Sequence, residues 1–351
     1  MKRLLIAAAA LAMTVAAAQA QTKAAWVYVG PIGDFGWSYQ HNQGRLAVDK
    51  ALGDKVKTSY VENVSEGPDA ERVIRQLAAD GNDIIFTTSF GFMNPTVKVA
   101  EKFPDVKFEH ATGYKRADNV GVYSARFYEG RYVIGKIAGR VSENGIVGYI
   151  ASFPIPEVVR GINAFMLGMQ TVRPDAQIKI IWVNTWFDPG KEADAAKALI
   201  DQGADILVQH TDSPAAMQVA QQRGIKAFGQ ASDMIQFGPE AQLTAIIDDW
   251  SVYYINRVKA VVDDNWASDD TWGGFAEEMV KMAPYTNMPD DVAKEAAEVE
   301  AAIRSGELLP FAGPIYKQDG ELAVKEGESL TDEVLLGMNW YVKGIDDKLP
   351  Q

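Results

Sequence analysis

Short apolar runs alternate with amphipathic segments along most of the chain. Residues 24–30 and 84–86 have the length and composition of buried strands, whereas residues 42–52 and 69–79 have the apolar spacing of helices. Strands that alternate with helices favour parallel pairing through right-handed crossovers. The pattern therefore predicts an α/β fold built on parallel sheets.

The same order of elements occurs twice. Residues 76–86 and 199–208 each contain a helix end, a glycine, an aspartate and a buried strand, and a helix follows at Pro95 or Pro214. The offset of about 120 residues predicts two Rossmann-like lobes of one design, with chance likeness between two βαβ units as the alternative. We predict that the first lobe contains residues 21–127 and 249–285. The second lobe then contains residues 128–248 and 286–351.

Aromatic residues follow predicted strands in both lobes. Trp37 lies in the stretch GDFGWSYQHNQG after the first strand, and Trp186 and Phe187 follow the strand at residues 178–183. Turns usually favour small polar residues instead. Ligands of open α/β sheets bind at the carboxyl ends of the strands. We therefore expect a cleft with rings from both lobes, and we favour Trp186 over Phe187 as the ring that faces the ligand.

The first twenty residues have the pattern of a secretory signal peptide. Lys2 and Arg3 precede an Ala-rich apolar run that ends in Ala18-Gln-Ala20, which predicts cleavage after Ala20 and a periplasmic protein. A buried N-terminal helix is the alternative. The chain has no cysteine, which excludes disulfides, thiolate metal sites and a cysteine-linked lipid anchor.

Charge and motifs argue against several other functions. The formal net charge is −13, and −15 without Lys2 and Arg3, which disfavours nucleic-acid binding. The three histidines are far apart in the sequence, and no metal-binding, nucleophile-elbow or phosphate-loop motif is present. We therefore predict no metal, no cofactor and no catalytic residue.

Several short motifs together resemble a known family. They are Asp34–Ser38 closed by Gly44, residues 100–108, residues 127–135, Gly148, residues 186–192, residues 203–205 and residues 229–233. Over residues 24–314 the chain resembles the substrate-binding proteins of ABC importers of the basic membrane protein type, which includes the bacterial purine nucleoside receptors. The resemblance implies a type I periplasmic binding protein fold with the ligand at the hinge. It also implies an inner-membrane ABC permease as partner, and we expect a monomer.

The resemblance further implies that one aromatic ring from each lobe stacks on a purine. Trp37 is at the matching position of the first lobe, and Trp186 or Phe187 is the counterpart in the second. Stacking of a base on an aromatic ring contributes about 1–3 kcal/mol in single-strand binders.

Departures from the family pattern favour a free base over a nucleoside. Ser38 replaces an asparagine, Ala231 replaces the first aspartate of a pair and leaves Asp233, and the stretch Thr244–Asp248 lacks a lysine. In the family these polar groups serve mainly the sugar. We therefore predict a nucleobase, with adenine first. Asp212, Asp233 and Asp248 could accept from its amino group, and Ser38 or Ser89 could donate to its ring nitrogens.

Other candidates have two interpretations each. Phe90 and Phe92 line the ligand pocket or fill the core, and Asp34 contacts the ligand or caps a helix. Glu129 contacts the ligand or hinge, or stabilises a helix N terminus. Asp248 and its neighbour Asp249 contact the ligand or form a solvated pair. Alternative functions are a nucleoside receptor, a sugar-binding protein on the same fold, a sensor that docks on a membrane receptor and, less favoured, an exported nucleosidase.

Overall fold

The computed structural model describes residues 21–33 and 35–350. The predicted signal peptide and the candidate ligand residue Asp34 lie outside the described residues. Within them, no helix combines the length and the apolar character that crossing a bilayer requires.

The strands are, in chain order, β1 Thr22–Val27, β2 Val56–Val61, β3 Ile84–Thr87, β4 Lys107–Ala111, β5 Val120–Ala125, β6 Ile146–Ala151, β7 Gln177–Trp182, β8 Ile206–Gln209, β9 Lys226–Gly229, β10 Gln242–Asp248, β11 Asp270–Gly273, β12 Val280–Met282, β13 Ile315–Tyr316 and β14 Leu322–Val324. The α-helices are α1 Gly36–Leu52, α2 Pro68–Ala79, α3 Met93–Ala100, α4 Phe127–Val141, α5 Pro156–Gln170, α6 Pro189–Asp201, α7 Ala215–Arg223, α8 Ser251–Val262, α9 Asp290–Arg304 and α10 Asp332–Leu336.

Two six-stranded sheets form the two lobes of the described chain. Their strand orders are β11-β5-β4-β3-β1-β2 and β12-β10-β9-β8-β6-β7, and their paired strands are parallel except for β10 and β12. Strands β1, β3 and β5 are almost continuously buried, as expected when helices cover both faces of a parallel sheet. The predicted α/β class with two lobes of parallel sheets is confirmed.

The chain passes between the two sheets three times. It crosses after β5, after β10, and between β11 and β12. The predicted division assigned residues 249–285 to the first lobe, but Val280–Met282 pairs with β10 in the second sheet. We therefore propose that the last crossing lies between Gly273 and Val280.

Helix α1 begins earlier than the sequence predicts. The apolar spacing indicated a helix from residue 42, whereas α1 begins at Gly36 and places Trp37 and Ser38 in its first turn. Phe35 and Gly36 have φ angles of 63° and 79°, so the chain turns sharply into the helix. This turn points the N terminus of α1 at the second lobe.

Helices α4 and α5 of the second lobe pack at very short range through glycines. A Cβ atom on Gly168 of α5 would lie 2.2 Å from the Tyr132 carbonyl oxygen, and one on Gly135 of α4 would lie 2.0 Å from the Phe165 carbonyl oxygen. These distances are far below van der Waals contact. The glycines therefore set the separation of the two helices.

We expect Gly168→Ala to lower the free energy of unfolding by about 1–3 kcal/mol, because the added methyl group forces α4 and α5 apart. Gly161→Ala is the matched control on the same helix, since its Cβ would meet no atom closer than 3.6 Å. The control should be neutral or stabilising by up to about 1 kcal/mol. Urea unfolding measures both variants, and equal effects would contradict the role of the close contact.

Candidate ligand-binding site

A small cavity lies between the lobes, at the carboxyl ends of strands from both sheets. The centres of water-sized molecules have about 30 Å³ of free space in this cavity, whereas they have about 610 Å³ in the crevice beside it. The cavity is lined by Val29, Trp37, Ser89, Phe90 and Thr112 from the first lobe and by Glu157, Trp186, His210, Asp212 and Gln230 from the second. Phe90, Thr112 and Glu157 line both spaces, so the crevice is continuous with the cavity.

Trp37 forms part of the first-lobe wall and is held rigidly. Its Nε1 donates a hydrogen bond of 2.7 Å to the Thr88 carbonyl oxygen. Its ring meets those of His41, Phe127 and Trp250 edge-on, with centroid distances of 4.3, 5.9 and 5.6 Å. The half-buried indole therefore has a fixed orientation before any ligand arrives.

Trp186 forms part of the second-lobe wall, and Phe187 does not line the cavity. The Trp186 Nε1 donates to Glu66 Oε1 across the cleft at 3.2 Å, and its ring lies 5.0 Å from that of Phe153. Phe187 lines a separate surface pocket with Gly30, where a Cβ atom on the glycine would lie 3.8 Å from the phenylalanine Cβ. Trp186 also lines that surface pocket, so only Trp186 of the two neighbouring aromatic residues lines the cavity as well.

Phe92 and Ser38 are not in the cavity, contrary to their selection from the sequence. Phe92 is 0% exposed and packs in the apolar core between the first sheet and helices α2 and α3. The Ser38 Oγ accepts a 3.1 Å hydrogen bond from the Gly30 N–H and so braces the turn after β1. Phe90, by contrast, lines both the cavity and the crevice.

Two acidic side chains of the second lobe line the cavity beside a histidine. Asp212 is 8% exposed, and burial together with the nearby Glu192 carboxylate raises its pKa well above the usual range; the Trp37 backbone N–H opposes this shift. Glu157 Oε1 lies 3.3 Å from His210 Nε2. Burial lowers the pKa of His210, so the imidazole is neutral near pH 7.

Asp248 lies close to this group without lining the cavity. It is 1% exposed, and neither carboxyl oxygen finds a hydrogen-bond partner among the residues described. Burial raises its pKa, as does repulsion from Glu157 and Asp212, while Arg131 lowers it. The solvated interpretation of Asp248 is therefore wrong.

Asp233 and Glu129 serve the backbone elsewhere. Asp233 Oδ1 accepts from the Ile235 N–H and from Gln242 Nε2 at 3.1 and 2.7 Å, so it shapes the turn after β9. Glu129 Oε2 accepts from the Phe275 N–H at 2.7 Å, beside the third crossing between the lobes. Neither residue lines the cavity, because local backbone donors engage both carboxylates.

Sequence reasoning missed Glu157, Gln230 and Thr112, and considered His210 only as a metal ligand. His210, Gln230 and Thr112 each come within one residue of the end of β8, β9 or β4. Glu157 is in the first turn of α5, after β6. Polar residues that directly follow a buried strand were the available signal for His210, Gln230 and Thr112, but the prediction used this signal only for aromatic residues, aspartates and serines.

The lobes are in contact at the N terminus of α1. The Gly36 N–H donates to Ser232 Oγ at 2.9 Å, and this hydroxyl lies 3.1 Å from the Gly36 carbonyl oxygen. Gln40 Nε2 donates to the Asp248 carbonyl oxygen at 3.0 Å. A Cβ atom on Gly36 would lie 2.2 Å from the Asp212 carbonyl oxygen. The structure is thus a closed form that only glycine at position 36 permits.

Comparison with known proteins identifies the family. Residues 21–309 match the model of the PnrA-like substrate-binding proteins of ABC transporters. The chain belongs to this family. It is 66% identical to a purine-binding protein of Brucella abortus, over 95% of each chain. It is also 42% identical to an ABC transporter protein of Haloferax volcanii to which glucose binding is attributed, over 93% of this chain and 81% of the relative.

Solved structures share the fold at low sequence identity. An ABC solute-binding protein from Aeropyrum pernix has a TM-score of 0.71 and 19% identity, covering 84% of this chain and 94% of its own. One from Conexibacter woesei has a TM-score of 0.63 and 22% identity, covering 82% and 98%. The predicted family and type I fold are confirmed. Members of the family are binding proteins that act outside the cytoplasm with a membrane permease.

We expect Gly36→Ala to weaken ligand binding at least tenfold, because the methyl group holds the N terminus of α1 away from the Asp212 backbone. Gly33→Ala is the control, since its Cβ would meet no atom within 4 Å. Calorimetric titration compares the two variants. The positive φ of Gly36 makes a loss of about 1 kcal/mol in folding stability expected as well. Unchanged affinity in Gly36→Ala would contradict the closed contact.

The Glu129 carboxyl group gives a pH-dependent expectation, because burial raises its pKa to about 7. The Glu129 carboxyl group then binds a proton more tightly in the folded state than in the unfolded chain. Because of this, the contribution of Glu129 to the free energy of unfolding falls as the pH rises from about 4.5 to about 7. Glu129→Gln keeps an acceptor for the Phe275 N–H, and it should reduce the loss of unfolding free energy between low and high pH by roughly 1–3 kcal/mol. Urea unfolding at pH 5 and pH 8 measures it, with Glu277→Gln as the comparison at the same crossing. An unaltered pH dependence in Glu129→Gln would contradict the assignment.

Proposed function

We propose that this protein is the periplasmic substrate-binding component of an ABC importer for a purine, and that it takes a free nucleobase, adenine first. The proposal includes export with cleavage after Ala20 and no lipid anchor. It also includes a monomer that binds its ligand without chemical conversion and delivers it to an inner-membrane permease.

One observation carries the proposal: Trp37 and Trp186 line the same cavity from opposite lobes. A flat heteroaromatic molecule between two indole faces gains stacking on both sides. The purine-binding relative at 66% identity supports this ligand class. Closure of both lobes on one molecule then stabilises the closed form relative to an open one.

The polar groups of the cavity suit the edges of a base. The Gln230 amide oxygen accepts from buried Arg131, which leaves the Gln230 NH₂ group to donate to a ring nitrogen. A protonated Asp212 both donates and accepts. Ser89 is a poorer donor than the sequence suggested, because its hydroxyl already donates to Glu66.

The residues expected to hold a ribose are absent or engaged. The Ser38 hydroxyl accepts from Gly30, and position 231 is an alanine. A site that has no hydrogen-bond partners for the sugar hydroxyl groups gains little binding free energy from a sugar. We therefore favour the nucleobase over the nucleoside within the same family.

Calorimetric titration with adenine, guanine, hypoxanthine, adenosine and glucose tests the function. We expect adenine to bind most tightly, and Trp37→Leu to weaken it about tenfold or more through loss of stacking. Trp340→Leu, in the C-terminal segment that packs on α5, is the matched control. Adenosine binding tenfold tighter than adenine would reject the nucleobase, and binding of glucose without any purine would reject the purine class. Release of free base from adenosine would instead indicate a nucleosidase.

A further inference from the structure

The side of the cavity formed by Glu157 and His210 contains two hydrogen-bond acceptors that the protein itself leaves unused. Glu157 Oε2 and His210 Nδ1 are both buried, and neither has a hydrogen-bond partner within residues 21–33 and 35–350. The side chains are 10% and 8% exposed, respectively. A buried polar atom without a partner costs free energy, so its presence in a cavity points to a ligand group that completes it.

The proton on His210 determines what each atom can do. Glu157 Oε1 lies 3.3 Å from His210 Nε2, a contact that places the imidazole proton on Nε2. Burial and the positive charges of Arg131 and Arg160 lower the pKa of His210, which keeps the ring singly protonated. Nδ1 is then a lone-pair acceptor on the side of the ring away from Glu157, and the second carboxylate oxygen of Glu157 is a separate acceptor.

Neither residue is needed to hold the backbone. Glu157 has no capping hydrogen bond in the first turn of α5, and the β8–α7 loop that carries His210 is instead braced by Glu192, whose Oε2 accepts from the Ser213 N–H at 3.1 Å. Glu157 also lines both the cavity and the open crevice, so it lies where a ligand passes from one to the other.

We propose that Glu157 and His210 form an acceptor pair that selects a ligand by its N–H donors, and that for a purine this pair prefers an amino to an oxo substituent. The inference rests on the proposed purine function. An amino substituent together with a ring N–H supplies donors for both atoms. An oxo substituent directed at either atom instead sets one acceptor against another, which is repulsive.

Calorimetric titration of the wild type and of Glu157→Gln with adenine and hypoxanthine tests the pair. The glutamine retains an oxygen for the His210 Nε2–H but presents an NH₂ donor in place of Oε2. We expect the wild type to bind adenine at least tenfold more tightly than hypoxanthine, and Glu157→Gln to reduce that ratio at least tenfold. Asp270→Asn, which changes an exposed carboxylate of the open crevice, should leave the ratio unchanged.

The outcomes separate this inference from the function beneath it. Wild-type protein that binds neither adenine, guanine, hypoxanthine nor adenosine overturns the purine function itself. Wild-type protein that binds adenine and hypoxanthine equally overturns only the acceptor pair, whatever the variants do. A folded Glu157→Gln variant with the wild-type ratio also overturns it. His210→Phe, which removes Nδ1 but keeps a ring, gives an independent second reading and should likewise reduce the ratio.

Discussion

Closure of the cleft buries polar groups that the protein does not satisfy on its own, and this constraint couples ligand binding to lobe closure. In the closed structure Glu157, His210 and Asp248 have buried polar atoms without hydrogen-bond partners in the described chain. Each such atom costs about 1–3 kcal/mol relative to its hydrated state. Direct lobe contacts such as Gly36 to Ser232 offset part of this cost. A ligand that supplies the missing partners shifts the equilibrium toward the closed form.

The two tryptophans that line the cavity differ in how far their positions depend on closure of the cleft. Trp37 is fixed by a backbone hydrogen bond and by rings of its own lobe and the crossing segments, so its face is in place whether or not the cleft is closed. Trp186 donates across the cleft to Glu66, so its position depends on closure. A ligand can therefore meet the first lobe before the second lobe completes the cavity. The strength of the second stacking contact then contributes directly to the stability of the closed state.

Buried parallel strands and the residues that follow them could be predicted from the sequence, because each strand is a short apolar run with a helix behind it. The predicted strand ends placed Trp37, Trp186 and Asp212 at the carboxyl edge of the sheets. Ser38, Asp233 and Glu129 were misplaced because their oxygens accept from nearby backbone N–H groups, and a single sequence does not show which donors a loop presents. The start of α1 was missed because the apolar spacing gives no sign of the positive φ at Phe35, where the chain turns into the helix.

The fold alone does not choose between a purine and a sugar, since proteins described as binding either ligand share this family. Both ligands stack on tryptophan, but they differ in where they need polar partners. A pyranose presents hydroxyl groups around its whole edge and C–H groups on its faces, so it calls for donors and acceptors on all sides. A purine has two flat π-faces and concentrates its donors and acceptors in the ring plane. A cavity with indoles on opposite lobes and its acidic groups on one lobe matches the second distribution better than the first.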